Sequence, residues 1–321
     1  MRRRLAPALG SAAALLLLAG CADSGGGSAA DASGTADDSL SVVATTTFWG
    51  DITSQVMGCA GAGDAETLIP VGADPHDYSP SSQDIVAMVS ADLVIANGLG
   101  LEEGLTQSLD SAAQDGARIL ELGPQLDPQP LGHEPTLDAG AAETHSGDDP
   151  HVWLDVTRAA RAAELIGSEL TDVTGDPAFA DCGSTVQDEL TELDESIAAT
   201  LATVDPERRI LVTDHDALEY FATAYGYEVA GTVVPGGSTL AEPSSAELAA
   251  LAATVQAAGV PAIFANVANP QALVDALAAE AGDVKVVELY IGSVGLPGSG
   301  ADTYQGMMTT NAQRISDALA G

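Results

Sequence analysis

The chain has 321 residues, with 47 Asp and Glu against 10 Lys and Arg, a formal charge of −37, 46% hydrophobic residues and only 4% aromatic. So acidic a protein excludes nucleic acid and anionic lipid surfaces as partners; its field would concentrate cations, although solubility alone accounts for it equally well. Beyond the first twenty residues no stretch reaches the roughly eighteen uninterrupted apolar residues of a membrane span.

Residues 1–20 read as a signal peptide: Arg2, Arg3 and Arg4, then an apolar run from Ala12 to Ala19 too short to cross a bilayer. Leu18-Ala19-Gly20-Cys21 resembles the bacterial lipobox, in which the Cys is acylated and becomes the new N-terminus. Cys21 then anchors an exported chain by lipid on the outer side of the cytoplasmic membrane. Residues 21–39 hold Gly, Ser, Ala, Thr and Asp without a core-forming side chain and form a flexible tether. Residues 40–321 exceed what one compact domain usually holds, so two lobes are expected, 40–176 and 205–321.

Residues 40–46 alternate as a strand, 49–57 carry helical spacing, 66–71 form a strand, 82–89 a helix started by Ser81 and Asp84, and 92–96 a buried strand closed by Asn97-Gly98. This strand and helix alternation is the pattern of a mainly parallel sheet flanked by helices. Residues 124–149 lack periodicity and form a long loop. Val186, Leu190, Leu193, Ile197, Leu201 and Val204 fall three or four apart, so residues 177–204 form one long amphipathic helix ended by Asp205-Pro206. Strand signals return at 209–213, 227–234, 262–265 and 284–289, with a Ser244/Glu247 capping pair between them. The second lobe is therefore α/β as well.

Three of the five histidines stand beside carboxylates or prolines where strands or loops end: His76, His151 and His215. Three imidazoles suit zinc and leave one tetrahedral position open, and Asp77, Asp155, Asp214 and Asp216 are candidates to orient the rings. For any one histidine the bland alternative, a hydrogen-bonded or surface residue, is the stronger, and the spacing is not a metal signature of the His-Glu-x-x-His kind. In an oxidising compartment Cys59 and Cys182 suggest one disulfide, with thiolate ligation as the alternative.

The words around the histidines carry more. Residues 72–78 followed by Pro80, residues 91–98, 149–155 and 215–221, and the stretch from Thr303 to Asn311 resemble the cluster A-I solute-binding proteins of zinc and manganese ABC transporters, in order across the mature chain. The resemblance implies two α/β lobes joined by one rigid helix, residues 177–204, with the metal in the interlobe cleft. Its ligands would be His76 and His151 from the first lobe and His215 from the second. Manganese-preferring members commonly place a carboxylate where His215 stands, which favours Zn2+ over Mn2+. The family often adds a carboxylate near the C-terminus, but here the run is Tyr290-Ile291-Gly292-Ser293, and Gly292 leaves that position to water, a distal carboxylate or a histidine of the loop, with water favoured. His133 and His145 would make a thin auxiliary metal-collecting loop, or a solvated linker. Trp49 and Trp153 either roof the site or pack.

The implied partners are an ABC-transporter permease with its ATPase, serving a monomeric binding protein that is not an enzyme. A three-histidine zinc hydrolase and a metal-binding adhesin or store are the rivals. A nucleophile elbow, a phosphate loop and a redox Cys-x-x-Cys are all missing from the sequence. Metal binding is expected to weaken toward the imidazole pKa of about 6.5.

Overall fold

The computed structural model describes residues 40–131, 147–234, 236 and 238–320. The signal peptide, Cys21, the tether and the loop histidines His133 and His145 lie outside the described residues.

The chain begins with β1 (Val42–Ala44), α1 (Thr47–Cys59), β2 (Glu66–Thr67), α2 (Ser82–Ser90), β3 (Leu93–Ala96), α3 (Thr106–Gln114) and β4 (Ile119–Glu121). The four strands form one parallel sheet in the order β2-β1-β3-β4. β1 and β3 are buried at every position, as strands covered on both faces must be. β2 is shorter than the expected 66–71 strand. Leu68 and Ile69 still donate to Ala44 and Thr45, but Pro70 has no N–H to continue the ladder. Ser81 and Asp84 close a capping box on α2.

Next come α4 (Val156–Thr174), α5 (Ala178–Leu201), β5 (Ile210–His215), α6 (Glu219–Tyr225), β6 (Glu228–Val234), α7 (Ser245–Ala258), β7 (Ala262–Asn266), α8 (Ala272–Glu280), β8 (Lys285–Leu289) and α9 (Tyr304–Leu319). The second sheet is parallel and ordered β6-β5-β7-β8, the same order as the first. Each sheet therefore has a topological switch point, β1/β3 in one and β5/β7 in the other, and ligands of such sheets sit beyond the strand ends there.

Between the sheets, α5 packs along α4 and also against α1 and α9. Gly167 of α4 faces Gly183 of α5 so closely that a Cβ at 167 would stand 2.5 Å from the Phe179 carbonyl oxygen and 2.8 Å from the Gly183 Cα. A disulfide joins Cys59, the last residue of α1, to Cys182 on α5, closing 123 residues of chain. One hydrophobic core runs from Val42 through Phe48, Trp153, Leu190 and Phe264 to Leu319 and so belongs to both lobes. Smaller cores lie under α2 and α3 and under α7 and α8. No helix of the described residues is long and apolar enough to cross a membrane.

Candidate metal centre

His76, His151 and His215 come together, each offering one ring nitrogen within 4.8 Å of the others, and all are buried. The ring centroids are 5.3 to 5.9 Å apart, and the Nε2 atoms of His76 and His151 stand 3.3 Å from each other.

His215 ends β5, beyond the switch point of the second sheet. Its Nδ1 lies 2.9 Å from Asp214 Oδ1, while Asp214 Oδ2 accepts from Asn266 N at 2.9 Å and Asn269 Nδ2 at 3.0 Å. An Nδ1–H held by a carboxylate leaves Nε2 as the free lone pair. Burial works against charge on His215, but the charge and hydrogen bond of Asp214 outweigh it and raise its pKa. Burial also opposes ionisation of Asp214, yet the charge of His215 and the donors around it lower its pKa.

His151 precedes the short 3-10 turn Val152–Leu154 in the first lobe. Asp149 Oδ1 accepts both the His151 backbone N–H at 2.9 Å and its ring Nδ1–H at 2.8 Å. The segment is held from every side. Asn97 Nδ2 donates to Pro150 O, Tyr220 OH to Asp149 O, and Tyr304 OH to Trp153 O, while Trp153 Nε1 donates to Ile291 O. Burial holds His151 well below the ordinary imidazole range and pushes Asp149 up to about 7.

His76 lies in the loop between β2 and α2. Asp74 Oδ1 accepts its backbone N–H at 3.0 Å, and Asp74 Oδ2 accepts from Thr239 Oγ1 of the second lobe at 2.5 Å. Gly72 N donates to Ser293 Oγ, a second tie across the cleft. Burial, then the charges of His151 and His215, lower the His76 pKa to about 3. Its Nδ1 is buried without a hydrogen-bond partner.

Of the carboxylates expected to orient the rings, Asp214 does so. Asp155 instead caps α4 through Thr157 N and pairs with Arg158, and Asp77 is exposed. Asp149 takes the role given to Asp155. The signal that would have found it is the tripeptide Asp-Pro-His, which occurs at 74–76 and again at 149–151. Trp49 and Trp153 pack: Trp153 stacks on Phe48 at 4.1 Å, and Trp49 Nε1 donates to Asn97 Oδ1. At Gly292 a Cβ would stand 2.9 Å from Pro75 Cδ, so the ring preceding His76 fills the space where a side chain would begin.

A buried carboxylate lies close by in the first lobe. Glu102 accepts from Thr45 Oγ1 at 2.6 Å, Asn97 N at 2.7 Å and Gly98 N at 3.2 Å, beyond the switch point of the first sheet. Gly98, Leu99 and Gly100 all have positive φ, the turn that lets these amides face one carboxylate.

A family model described as ZnuA, zinc-uptake complex component A, periplasmic, matches residues 42–318. The zinc-binding protein TroA of Treponema pallidum is 32% identical over 260 residues, 79% of this chain and 80% of that protein. A solved structure of periplasmic zinc-binding TroA from the same organism superposes with a TM-score of 0.76 at 30% identity, over 88% of this chain and 100% of that one. The manganese-binding lipoprotein MntA of Halalkalibacterium halodurans is 29% identical over 293 residues, 90% of this chain and 92% of that protein.

Proposed function

The chain belongs to the ZnuA family of metal-binding ABC-transporter components, which are solute-binding proteins and not enzymes, and from that premise we propose that it captures Zn2+ on His76, His151 and His215 and delivers it to the permease. The observation that carries the zinc reading is the donor set. The clustered groups are three buried imidazoles with no carboxylate among them, and nitrogen donors suit zinc where oxygen donors suit manganese. Two nitrogens about 2.0–2.1 Å from one tetrahedral zinc lie about 3.3–3.4 Å apart, the Nε2 separation of His76 and His151. Water completes the coordination, since Gly292 offers no side chain.

The carboxylates of Asp149 and Asp214 keep the Nδ1 protons of their histidines and aim both Nε2 lone pairs inward. Lipidated Cys21 keeps the protein at the outer face of the membrane, within reach of the permease. The relatives divide by name between zinc and manganese, so the decisive measurement is direct. The purified chain, stripped with chelator, is titrated with Zn2+ and Mn2+ in competition and the product analysed for its metals. Zinc should displace manganese at equal concentration, at one ion per chain. Manganese retained against equimolar zinc would overturn the reading.

A further inference from the structure

Two of the three clustered histidines have a carboxylate on Nδ1, Asp149 for His151 and Asp214 for His215. The third does not: His76 Nδ1 is buried without a hydrogen-bond partner. Asp74 does not serve it as Asp149 serves His151: its Oδ1 accepts the His76 backbone N–H but not the ring, and its Oδ2 accepts the Thr239 hydroxyl. Among the described residues the nearest carboxylate is Glu103, whose Oε1 stands 3.7 Å from His76 Nδ1, beyond a hydrogen bond. Glu103 opens the short 3-10 turn Glu103–Leu105, and that turn lies directly on the His76 loop. A Cβ at Gly104 would stand 2.1 Å from the Tyr78 carbonyl oxygen, so only glycine allows the two backbones to meet. The Glu103 side chain is 40% exposed, and a movement of about 1 Å closes the bond.

The geometry points to Glu103 as the positioning residue of His76, accepting its Nδ1–H when Nε2 is given to the metal. This rests on the three-histidine reading above. A neutral imidazole that coordinates through Nε2 carries its one proton on Nδ1, and a buried N–H with no acceptor carries the full penalty of desolvation. The inner face of the carboxylate ring around the site is thus supplied by fixed residues, and the outer face by a side chain that answers from solvent.

The test uses the full chain loaded with zinc, as wild type, Glu103→Ala, Glu103→Gln and His76→Ala. Zinc affinity is read by chelator competition, and the imidazole N–H protons by proton–nitrogen NMR. Glu103→Ala should weaken zinc by about tenfold and lose the slowly exchanging His76 Nδ1–H signal. Glu103→Gln, which keeps an accepting oxygen, should restore most of both. If His76→Ala abolishes tight binding while Glu103→Ala changes neither affinity nor the signal, the role of Glu103 is overturned and the three-histidine site stands. If His76→Ala itself leaves zinc affinity unchanged, both fall together.

Discussion

Asp74-Pro75-His76 and Asp149-Pro150-His151 are the same tripeptide set in the same lobe, and their carboxylates end in different places. Asp149 turns back on its own histidine and accepts from backbone and ring alike. Asp74 accepts only the backbone N–H and spends its other oxygen on Thr239, across the cleft. One copy therefore fixes a ring, and the other fixes a lobe contact. Identical local sequence does not decide the partner of a side chain; the second lobe does, by offering Thr239 to one copy and Tyr220, which binds the Asp149 carbonyl, to the other.

The contrast breaks most readily on the two aspartates. Asp149→Ala should lower zinc affinity by about 10–100-fold, the usual loss for an outer-shell partner of a ligating histidine, and Asp74→Ala by less than about tenfold. Equal losses in chelator competition would mean that the two copies act alike.

A pH titration of affinity sharpens it. His76, lowered to about 3, and His151, held well below the ordinary imidazole range by burial, stay neutral through mild acid, whereas His215 is raised. A raised pKa means that metal must displace a proton from His215 at any pH below it. Zinc affinity should then begin to fall above the ordinary imidazole pKa of about 6.5 and drop about tenfold per pH unit below it, a one-proton slope from His215. A steeper slope would show that Asp149, itself raised to about 7, or the first-lobe rings take up protons as well.

The smallest effect is expected at Thr239. Thr239→Val removes one hydrogen bond between the lobes, worth about 0.5–1.5 kcal/mol in denaturant unfolding, and should leave zinc affinity within about threefold. A larger loss of affinity would place Asp74 in the metal site after all.

The two-sheet architecture was legible because strands such as 93–96 and 262–265 are continuous apolar runs between turn signals, and the 177–204 helix because its apolar residues are large. α4 was not, since half of the residues it buries are alanine, Ala159, Ala160, Ala162 and Ala163, which contrast weakly with its exposed side. β4 is three residues long, below what periodicity can register. At the site, the histidines were readable from the words around them. Asp149 is marked over Asp148 only by the repeated Asp-Pro-His tripeptide, whose other copy does not hold its ring, and the fold turns Asp148 outward while it buries Asp149.

His151 belongs by position to the first half of the chain, yet the backbone that carries it is fastened by Tyr304, the first residue of the last helix, 151 positions beyond Trp153. The last helix is thus no dispensable tail: a stop codon before residue 304 removes a tie of the segment that carries His151, and a tag or fusion that disturbs this helix loosens the same candidate site.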